Sequence, residues 1–197
     1  MEVLVYFGIF IFSITGALKA RTHNMDIFGA SVLAFATAFG GGTLRDILLG
    51  RTPISWLSDR YSIGLVLLAL IICFLFKSNI VKFNKIIFAT DAMGLGLFTL
   101  IGIKISMQVG EGMLGSIIMG VITATFGGLI TDLLCNRIPE IFKKGELYAT
   151  ASLFGGLLYM LLFKLEFSTN ICVSSSIIFI VFLRYLAKIF KIQLPFF

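Results

Sequence analysis

Long apolar runs recur along this chain, and short charged or turn-forming segments separate them. A helix needs roughly 20 apolar residues to cross the hydrocarbon of a bilayer, and backbone polar groups in lipid must be paired within their own segment. The chain is 58% hydrophobic and 13% charged, whereas a soluble domain is about 25% charged. These features predict an all-α integral membrane protein rather than a soluble enzyme.

The apolar runs predict seven transmembrane helices in a single transmembrane domain that covers residues 1–197. Some runs are short for a full crossing, so those helices must tilt or let flanking lysines reach the interface. Because the number of spans is odd, the two termini lie on opposite sides of the membrane. The predicted helices cover residues 3–18, 27–49, 61–76, 86–106, 113–135, 147–163 and 169–190.

The basic residues divide unevenly between the loops on the two sides of the membrane. By the positive-inside rule, the side with more lysine and arginine is the cytoplasmic one. This predicts an external N-terminus and a cytoplasmic C-terminus. The cytoplasmic group contains Lys19, Arg21, Lys77, Lys82, Lys85, Arg137, Lys143, Lys144, Arg184, Lys188 and Lys191, and the outer group contains Arg45, Arg51, Arg60, Lys104 and Lys164.

The chain also contains an internal repeat, which becomes visible when Asp46 is aligned with Asp132 and the same offset is kept throughout. Repeat 1 covers about residues 3–76 and repeat 2 about residues 86–163, while the seventh helix, about 169–190, is appended. Three helices per repeat force the second repeat to enter from the opposite face, so the fold is a 3+3 inverted repeat. The matched residues include Gly41, Gly42, Asp46, Arg51 and Pro53, which fall on Gly127, Gly128, Asp132, Arg137 and Pro139.

Transport proteins use inverted repeats and place their pathway at the repeat interface. The alternative is an old duplication in which no pathway remains. The second and fifth helices are the candidates for such a pathway because glycines interrupt both near the middle. These glycines, Gly40, Gly41, Gly42, Gly127 and Gly128, predict a kink or a short unwound stretch. The simpler interpretation is that they only let two helices pack closely.

Two carboxylates lie one turn beyond the glycines, Asp46 in the second helix and Asp132 in the fifth. A charged residue inside a span is costly and is by default a candidate for an ion or proton path. Asp91 is a weaker candidate, since its partner in the other repeat is Val5. The alternative for Asp46 and Asp132 is a structural ion pair with a nearby arginine, the candidates being Arg45, Arg51 and Arg137.

The two repeats differ at one charged position, where Arg45 in the second helix corresponds to Thr131 in the fifth. Asp46 therefore has a basic neighbour and Asp132 an uncharged one. This predicts that the inner end of a path is more negative than the outer end and attracts cations more strongly. The matching helix faces carry Thr37, Gly41 and Arg45 in repeat 1 and Thr123, Gly127 and Thr131 in repeat 2.

The three cysteines, Cys73, Cys135 and Cys172, are odd in number and far apart. They fit neither a disulfide framework nor a metal site. No cofactor and no metal are expected, and no nucleic-acid-binding element is found because topology accounts for the basic residues. An intramembrane aspartyl protease is excluded, because its two carboxylates must share a proton and here they are predicted on opposite sides of the midplane.

Several strings resemble the prokaryotic branch of the TRIC family, the trimeric intracellular cation channels. They are GGGTLRDILLGRTP at 40–53, FGGLITDLLCNRIP at 126–139, DAMGLGLFTLIG at 91–102 and ELYATASLFGG at 146–156. The resemblance implies a homotrimer in a prokaryotic plasma (inner) membrane, in contact with lipid. Each protomer would hold an hourglass pore that passes monovalent cations such as K⁺ and Na⁺ between the kinked second and fifth helices.

Carried onto this sequence, the resemblance places the polar pore ends at Arg45, Asp46 and Asp132. Two residues depart from the family pattern: Phe126 stands where a third glycine is usual, and Thr131 where an arginine is usual. They bear on how the fifth helix bends and on how its mouth is charged. The alternative function is a carrier of small solutes such as glycine, because an inverted repeat suits alternating access as well as a static pore.

Overall fold

A computed structural model describes residues 2–75, 80–143 and 147–192. This part of the chain forms seven α-helices and two short 3₁₀ turns, at Ser55–Leu57 and Glu140–Phe142. The prediction of an all-helical fold with seven helices is confirmed. The helices are α1 (Glu2–Thr22), α2 (Ile27–Leu48), α3 (Arg60–Leu75), α4 (Ile80–Gln108), α5 (Met113–Leu134), α6 (Ala149–Lys164) and α7 (Thr169–Phe190).

Two helix boundaries differ clearly from the prediction. Helix α1 extends to Thr22 and α4 begins at Ile80, because helical hydrogen bonding continues through charged residues at which the apolar pattern stops. Five of the helices are long and apolar enough to span a membrane, whereas α3 and α6 have only 16 residues each. Of the basic residues used for the topology prediction, Lys77 and Lys144 lie outside the described residues.

The two repeats fold alike along their length. Helix α5 begins and ends 86 residues after α2, and a 3₁₀ turn follows each of them. The backbone amide of Arg51 donates to the carbonyl of Asp46 over 2.8 Å, and that of Arg137 donates to the carbonyl of Asp132 over 2.9 Å. We call two residues that are separated by this offset counterparts.

The α1–α4 contact shows how the repeats are related. Phe12 stacks on its counterpart Phe98, with ring centroids 4.9 Å apart. A methyl group added at Gly8 would meet Phe98, and one added at the counterpart Gly94 would meet Phe12. Such an exchange of contacts is the mark of two-fold symmetry. It also makes α1 and α4 antiparallel, so the repeats are inverted about an axis that passes between the two phenylalanines.

Helices α2 and α5 cross in the same symmetric manner. A methyl group added at Gly41 would lie 2.0 Å from the carbonyl oxygen of Thr123, and one at Gly127 would lie 2.2 Å from that of Thr37. Only glycine permits this approach of backbone to backbone. Both helices are helical throughout these residues, so the predicted unwound stretch is wrong. The glycines let the helices pack against one another.

Candidate functional site

Two cavities lie on either side of the α1–α4 contact, and each contains one of the predicted carboxylates. We call the first the Asp46 end; it measures about 140 Å³, and its walls include Ala38, Gly42, Arg45, Asp46, Asp59 and Phe98. We call the second the Asp132 end; it also measures about 140 Å³, and its walls include Lys19, Asp91, Asp132, Arg137, Glu140 and Arg184.

At the Asp46 end, the carboxylate of Asp46 is fully buried and accepts five hydrogen bonds. Arg45 donates from Nε at 3.0 Å and from a terminal nitrogen at 2.7 Å, and Arg51 donates over 3.0 Å. Ser55 donates from its backbone amide at 2.9 Å and from its hydroxyl at 2.6 Å. All of these donors belong to α2 or to the segment that follows it. A carboxylate offers about four lone-pair sites, so Asp46 has no free acceptor for another cation.

At the Asp132 end, the carboxylate of Asp132 has a different partner from the one predicted. Its Oδ1 accepts from the ammonium of Lys19 over 2.8 Å, and its Oδ2 accepts from the backbone amide of Glu140 over 2.9 Å. Lys19 lies in α1 and is 8% exposed, although the sequence had placed it in a loop. The predicted excess of negative charge beside Asp132 is therefore wrong.

Thr131 does not contact Asp132 through its side chain. Its hydroxyl bonds to the hydroxyl of Thr37 over 2.7 Å and donates to the carbonyl of Gly127 over 2.9 Å. Thr131 thus belongs to the α2–α5 contact, whereas its counterpart Arg45 lines the cavity of the Asp46 end.

Asp91, the weaker candidate, is also part of the Asp132 end. It is 4% exposed and pairs with Arg184 of α7 over 3.2 Å, while the hydroxyl of Tyr148 donates to it over 3.1 Å. The guanidinium of Arg184 stacks over the ring of Tyr148 at 4.5 Å. Sequence reasoning missed these partners. The one available signal was an arginine inside the apolar run of α7, where an isolated charge is costly.

Gly42 and its counterpart Gly128 show that the two ends are filled differently. A methyl group added at Gly128 would lie 2.6 Å from the hydroxyl oxygen of Tyr148. At Gly42 the nearest neighbour would be the side chain of Arg45, at 3.7 Å. The counterpart of Tyr148 is the much smaller Ser62. The space beside the glycine is therefore open at the Asp46 end and occupied at the Asp132 end.

The charges that line the two cavities also differ. At the Asp46 end, two acidic residues and one basic residue line the cavity, namely Asp46, Asp59 and Arg45. At the Asp132 end the walls carry four basic and three acidic residues, namely Lys19, Arg137, Arg184, Lys188, Asp91, Asp132 and Glu140. Formal charges therefore make the Asp46 end the more negative one, which is the reverse of the prediction.

Asp59 and Glu140 are the lining carboxylates that lie outside the helices, and both favour the charged form. Burial alone would raise the pKa of Asp59, but hydrogen bonds from the Ser62 hydroxyl and the Tyr61 amide lower it below its usual value. Burial would likewise raise the pKa of Glu140, but its hydrogen bond and ion pair with Lys143 lower it. Both carboxylates thus keep their negative charge at neutral pH.

Between the two ends lies the Phe12–Phe98 stack, and Phe98 forms part of the wall of the Asp46 end. The structure thus brings Gly42, Arg45 and Asp46 to one cavity and Asp132 to the other. Gly128 faces Tyr148 of the Asp132 end. The other predicted pore residues lie at or near the α2–α5 contact: Thr37, Gly40, Gly41, Thr123, Gly127 and Thr131. Whether these residues line an ion path stays a prediction.

Comparison with known proteins agrees with this internal organisation. A family model described as Glycine transporter matches the chain twice, over residues 2–78 and 88–164. The second match begins and ends 86 residues after the first, which is the offset of the repeat. The chain is 34% identical to a membrane protein of Vibrio cholerae over 96% of this chain and 79% of that protein. It is 35% identical to the Escherichia coli inner membrane protein YadS, over 80% of this chain and 78% of YadS.

A solved structure of the trimeric intracellular cation channel orthologue from Rhodobacter sphaeroides superimposes on the chain with a TM-score of 0.86. The two are 32% identical, and the match covers 97% of this chain and 98% of the other. This chain belongs to the prokaryotic TRIC family. A second structure of a TRIC cation channel is 34% identical, with a TM-score of 0.86 over 100% of this chain and 97% of its own. As a TRIC-family member, the chain is similar to channels and transporter-like membrane proteins rather than to enzymes.

Proposed function

We propose that this TRIC-family protein is a passive channel for monovalent cations such as K⁺ and Na⁺. The observation that carries the proposal is the pair of cavities arranged about the two-fold axis, each with a buried carboxylate and with the Phe12–Phe98 stack between them. Inverted repeats place transport pathways at such an interface. The path would run through each protomer of a homotrimer and would need no cofactor.

In the proposed channel, this structure is the closed conformation. Ion pairs hold Asp46 and Asp132, and the stacked Phe12 and Phe98 block the axis with apolar rings. A cation that passes between the two ends would need these rings to separate. Constrictions of this kind gate channels by excluding water. Opening therefore requires a relative movement of α1 and α4.

We further propose an orientation with the N-terminus outside and the C-terminus in the cytoplasm of a prokaryotic cell. The support is the excess of basic residues near the Asp132 end, which would then face the cytoplasm. The membrane would be the plasma membrane, as for the inner membrane protein YadS. The exposed apolar side chains of α2, α5 and α7 would contact lipid or neighbouring protomers, among them Phe28, Leu114 and Phe182.

A carrier for a small zwitterion such as glycine is the second candidate. Two observations favour it, the description of the matching family as Glycine transporter and the composition of the Asp46 end. That cavity contains both the guanidinium of Arg45 and the carboxylate of Asp59, which are groups that could bind the carboxylate and the ammonium of an amino acid.

Purified protein in liposomes separates the two functions. For a channel, K⁺ flux follows the imposed voltage without saturating, and labelled glycine is not accumulated. For a carrier, glycine uptake saturates and K⁺ flux stays at the level of empty liposomes. Empty liposomes serve as the control for leakage. If the parent gives neither flux nor uptake, both proposals are wrong.

A further inference from the structure

Different helices supply the positive charges that neutralise the two buried carboxylates. At the Asp46 end the charge comes from Arg45, the neighbouring residue in α2. The counterpart of Arg45 is Thr131, which has no charge, and Asp132 instead pairs with Lys19 of α1. The counterpart of Lys19 is Ile105, which lines the cavity of the Asp46 end as an apolar side chain. The charge that neutralises the carboxylate of repeat 2 therefore comes from α1 of repeat 1 and not from the neighbouring residue in α5.

This relocation changes how easily the carboxylate can be exposed. Arg45 is adjacent to Asp46 in the chain, and Arg51 and Ser55 follow in the same segment. No movement between helices separates them. Lys19 and Asp132 lie 113 positions apart, so a shift of α1 against α5 draws the two apart. The ammonium of lysine is a compact charge on a flexible stem, and rotation of its side chain has the same effect.

Asp132 also has a free acceptor oxygen, Oδ1, once Lys19 leaves. The backbone amide of Glu140 donates to Oδ2, whereas Oδ1 accepts the hydrogen bond from Lys19. Withdrawal of Lys19 would expose a charged oxygen at the wall of a cavity, next to polar groups. Carboxylate oxygens are the ligands that hard cations prefer. Asp46, with five donors, gains no comparable vacancy.

We propose that the Lys19 ammonium occupies a cation-binding position on Asp132, and that a permeant monovalent cation competes with it there. Lys19 is then a tethered ion that holds the Asp132 end closed to K⁺ until it withdraws. The proposal rests on the proposed channel function for its role in flux, but binding of a cation to Asp132 can be tested separately. It differs from a purely structural ion pair because Lys19 and K⁺ must be mutually exclusive.

The repeat itself supplies the variants for the test. Lys19→Ile removes the tethered charge and installs the side chain of its counterpart. Lys19→Ile/Thr131→Arg also gives Asp132 an arginine as its neighbour in the chain, as Arg45 is the neighbour of Asp46. Lys104→Ile, on α4, is the matched control for loss of one lysine, because the wall residues of the two cavities do not include Lys104.

Two measurements are made on each variant. The first is K⁺ flux into liposomes at low and high salt. The second is the thermal unfolding midpoint of the detergent-solubilised protein in KCl and in N-methylglucamine chloride of equal ionic strength. We expect Lys19→Ile to raise flux at low salt by roughly fivefold, an effect that shrinks at high salt. KCl should stabilise Lys19→Ile more than N-methylglucamine chloride does, and the parent and Lys104→Ile should show no such difference.

The double variant gives the decisive comparison, because its arginine cannot withdraw in the way that Lys19 can. When folded, it should show no stabilisation specific to K⁺ and should conduct less than the parent. If it conducts like the parent, the helix that supplies the charge is irrelevant and the proposal is wrong. That outcome stays informative even if Lys19→Ile alone fails to fold.

The proposal would also be overturned if Lys19→Ile folds and matches the parent in both flux and K⁺ dependence of unfolding. A parent protein without K⁺ flux would contradict the channel function instead. In that case the unfolding comparison still decides whether K⁺ binds Asp132 when Lys19 is absent.

Discussion

The Asp46 end and the Asp132 end belong to two repeats with the same fold, yet their buried carboxylates are paired in different ways. Every donor to Asp46 lies in α2 or in the segment after it. At the Asp132 end, the ion pairs of Asp132 and Asp91 join α1 to α5 and α4 to α7. The first arrangement stabilises one segment, while the second ties separate helices together. An inverted repeat can therefore keep its fold while the charges at its two ends are neutralised by different elements.

The appended helix α7 contributes to this difference. Arg184 of α7 pairs with Asp91, and Tyr148 fills the space beside Gly128. Repeat 1 has Val5 and Ser62 at the corresponding positions, and nothing corresponds to α7. The seventh helix thus closes one end of the arrangement only. The asymmetry arises from few substitutions and one added helix.

The largest effect is expected at the α2–α5 contact, where the second helices of the two repeats pack against one another. Leucine side chains at Gly41 and Gly127 would overlap backbone atoms of the opposite helix. Overpacking costs about 1–3 kcal/mol per site and more where the backbone must move, so the double variant should lose both thermal stability and flux. Gly42→Ala is the control, since its methyl group meets only the side chain of Arg45. Parent-like flux in a folded double variant would show that this contact is dispensable.

The next largest effect is on stability, and it differs between the ion pairs of the two ends. Arg184→Leu leaves the buried Asp91 without its cation, and breaking such a pair costs about 3–5 kcal/mol. Asp91→Val/Arg184→Leu should recover much of this loss, because valine is the residue of repeat 1 at that position. Arg51→Gln should cost only about 0–1 kcal/mol, since Arg51 is partly exposed and Arg45 remains beside Asp46. Thermal unfolding of the purified variants measures all three. Equal losses for Arg184→Leu and Arg51→Gln would mean that the ends do not differ in this way.

A smaller effect is expected on conductance. Asp132→Asn should lower single-channel K⁺ conductance more than Asp46→Asn does, because only Asp132 can exchange its partner for an ion. The difference should shrink at high KCl, where salt screens the charges. Recordings at low and high KCl provide the measurement. A larger loss for Asp46→Asn would assign the ion-binding carboxylate to the other end.

The smallest effect concerns pH. The pKa of Glu140 is lower in the folded protein than its usual value, so its contribution to stability is present above that usual value. The contribution disappears as the pH falls through the folded pKa. The difference in unfolding midpoint between the parent and Glu140→Gln should therefore be greatest near neutral pH and vanish in acid. A difference that does not change with pH would contradict the assignment.

The fold could be predicted from the sequence because its causes are local or repeated. Apolar runs mark the helices, and the offset that aligns Asp46 with Asp132 marks the two repeats. The close contact at Gly41 and Gly127 also follows from the pattern, although the same pattern allowed an unwound stretch. Packing decided between the two, because the glycines bring backbone against backbone.

The partners of the carboxylates could not be predicted in the same way. Asp46 pairs with neighbours in the chain, and the sequence offered those arginines as candidates. Asp132 pairs with Lys19, far away in the sequence, and the contact depends on the depth and rotation of α1 relative to α5. The predicted first helix ended before Lys19, because the apolar run stops there. Lys19 was therefore not considered as the partner that neutralises Asp132.

The most direct test of the difference between the ends compares Ala38 with its counterpart Ala124. Both alanines are buried, but Ala38 lines the cavity of the Asp46 end, whereas the wall residues of the Asp132 end do not include Ala124. Each is replaced by cysteine in a protein whose three native cysteines are alanine, and Ag⁺, a monovalent cation that binds thiolates, is added. Thiols that escape Ag⁺ are labelled after unfolding. We expect Ag⁺ to protect the Ala38→Cys thiol and to leave the Ala124→Cys thiol free, in variants with parent-like unfolding midpoints. Equal protection, or faster reaction at Ala124→Cys, would contradict the claim that the space beside the glycine is free at the Asp46 end and filled at the Asp132 end.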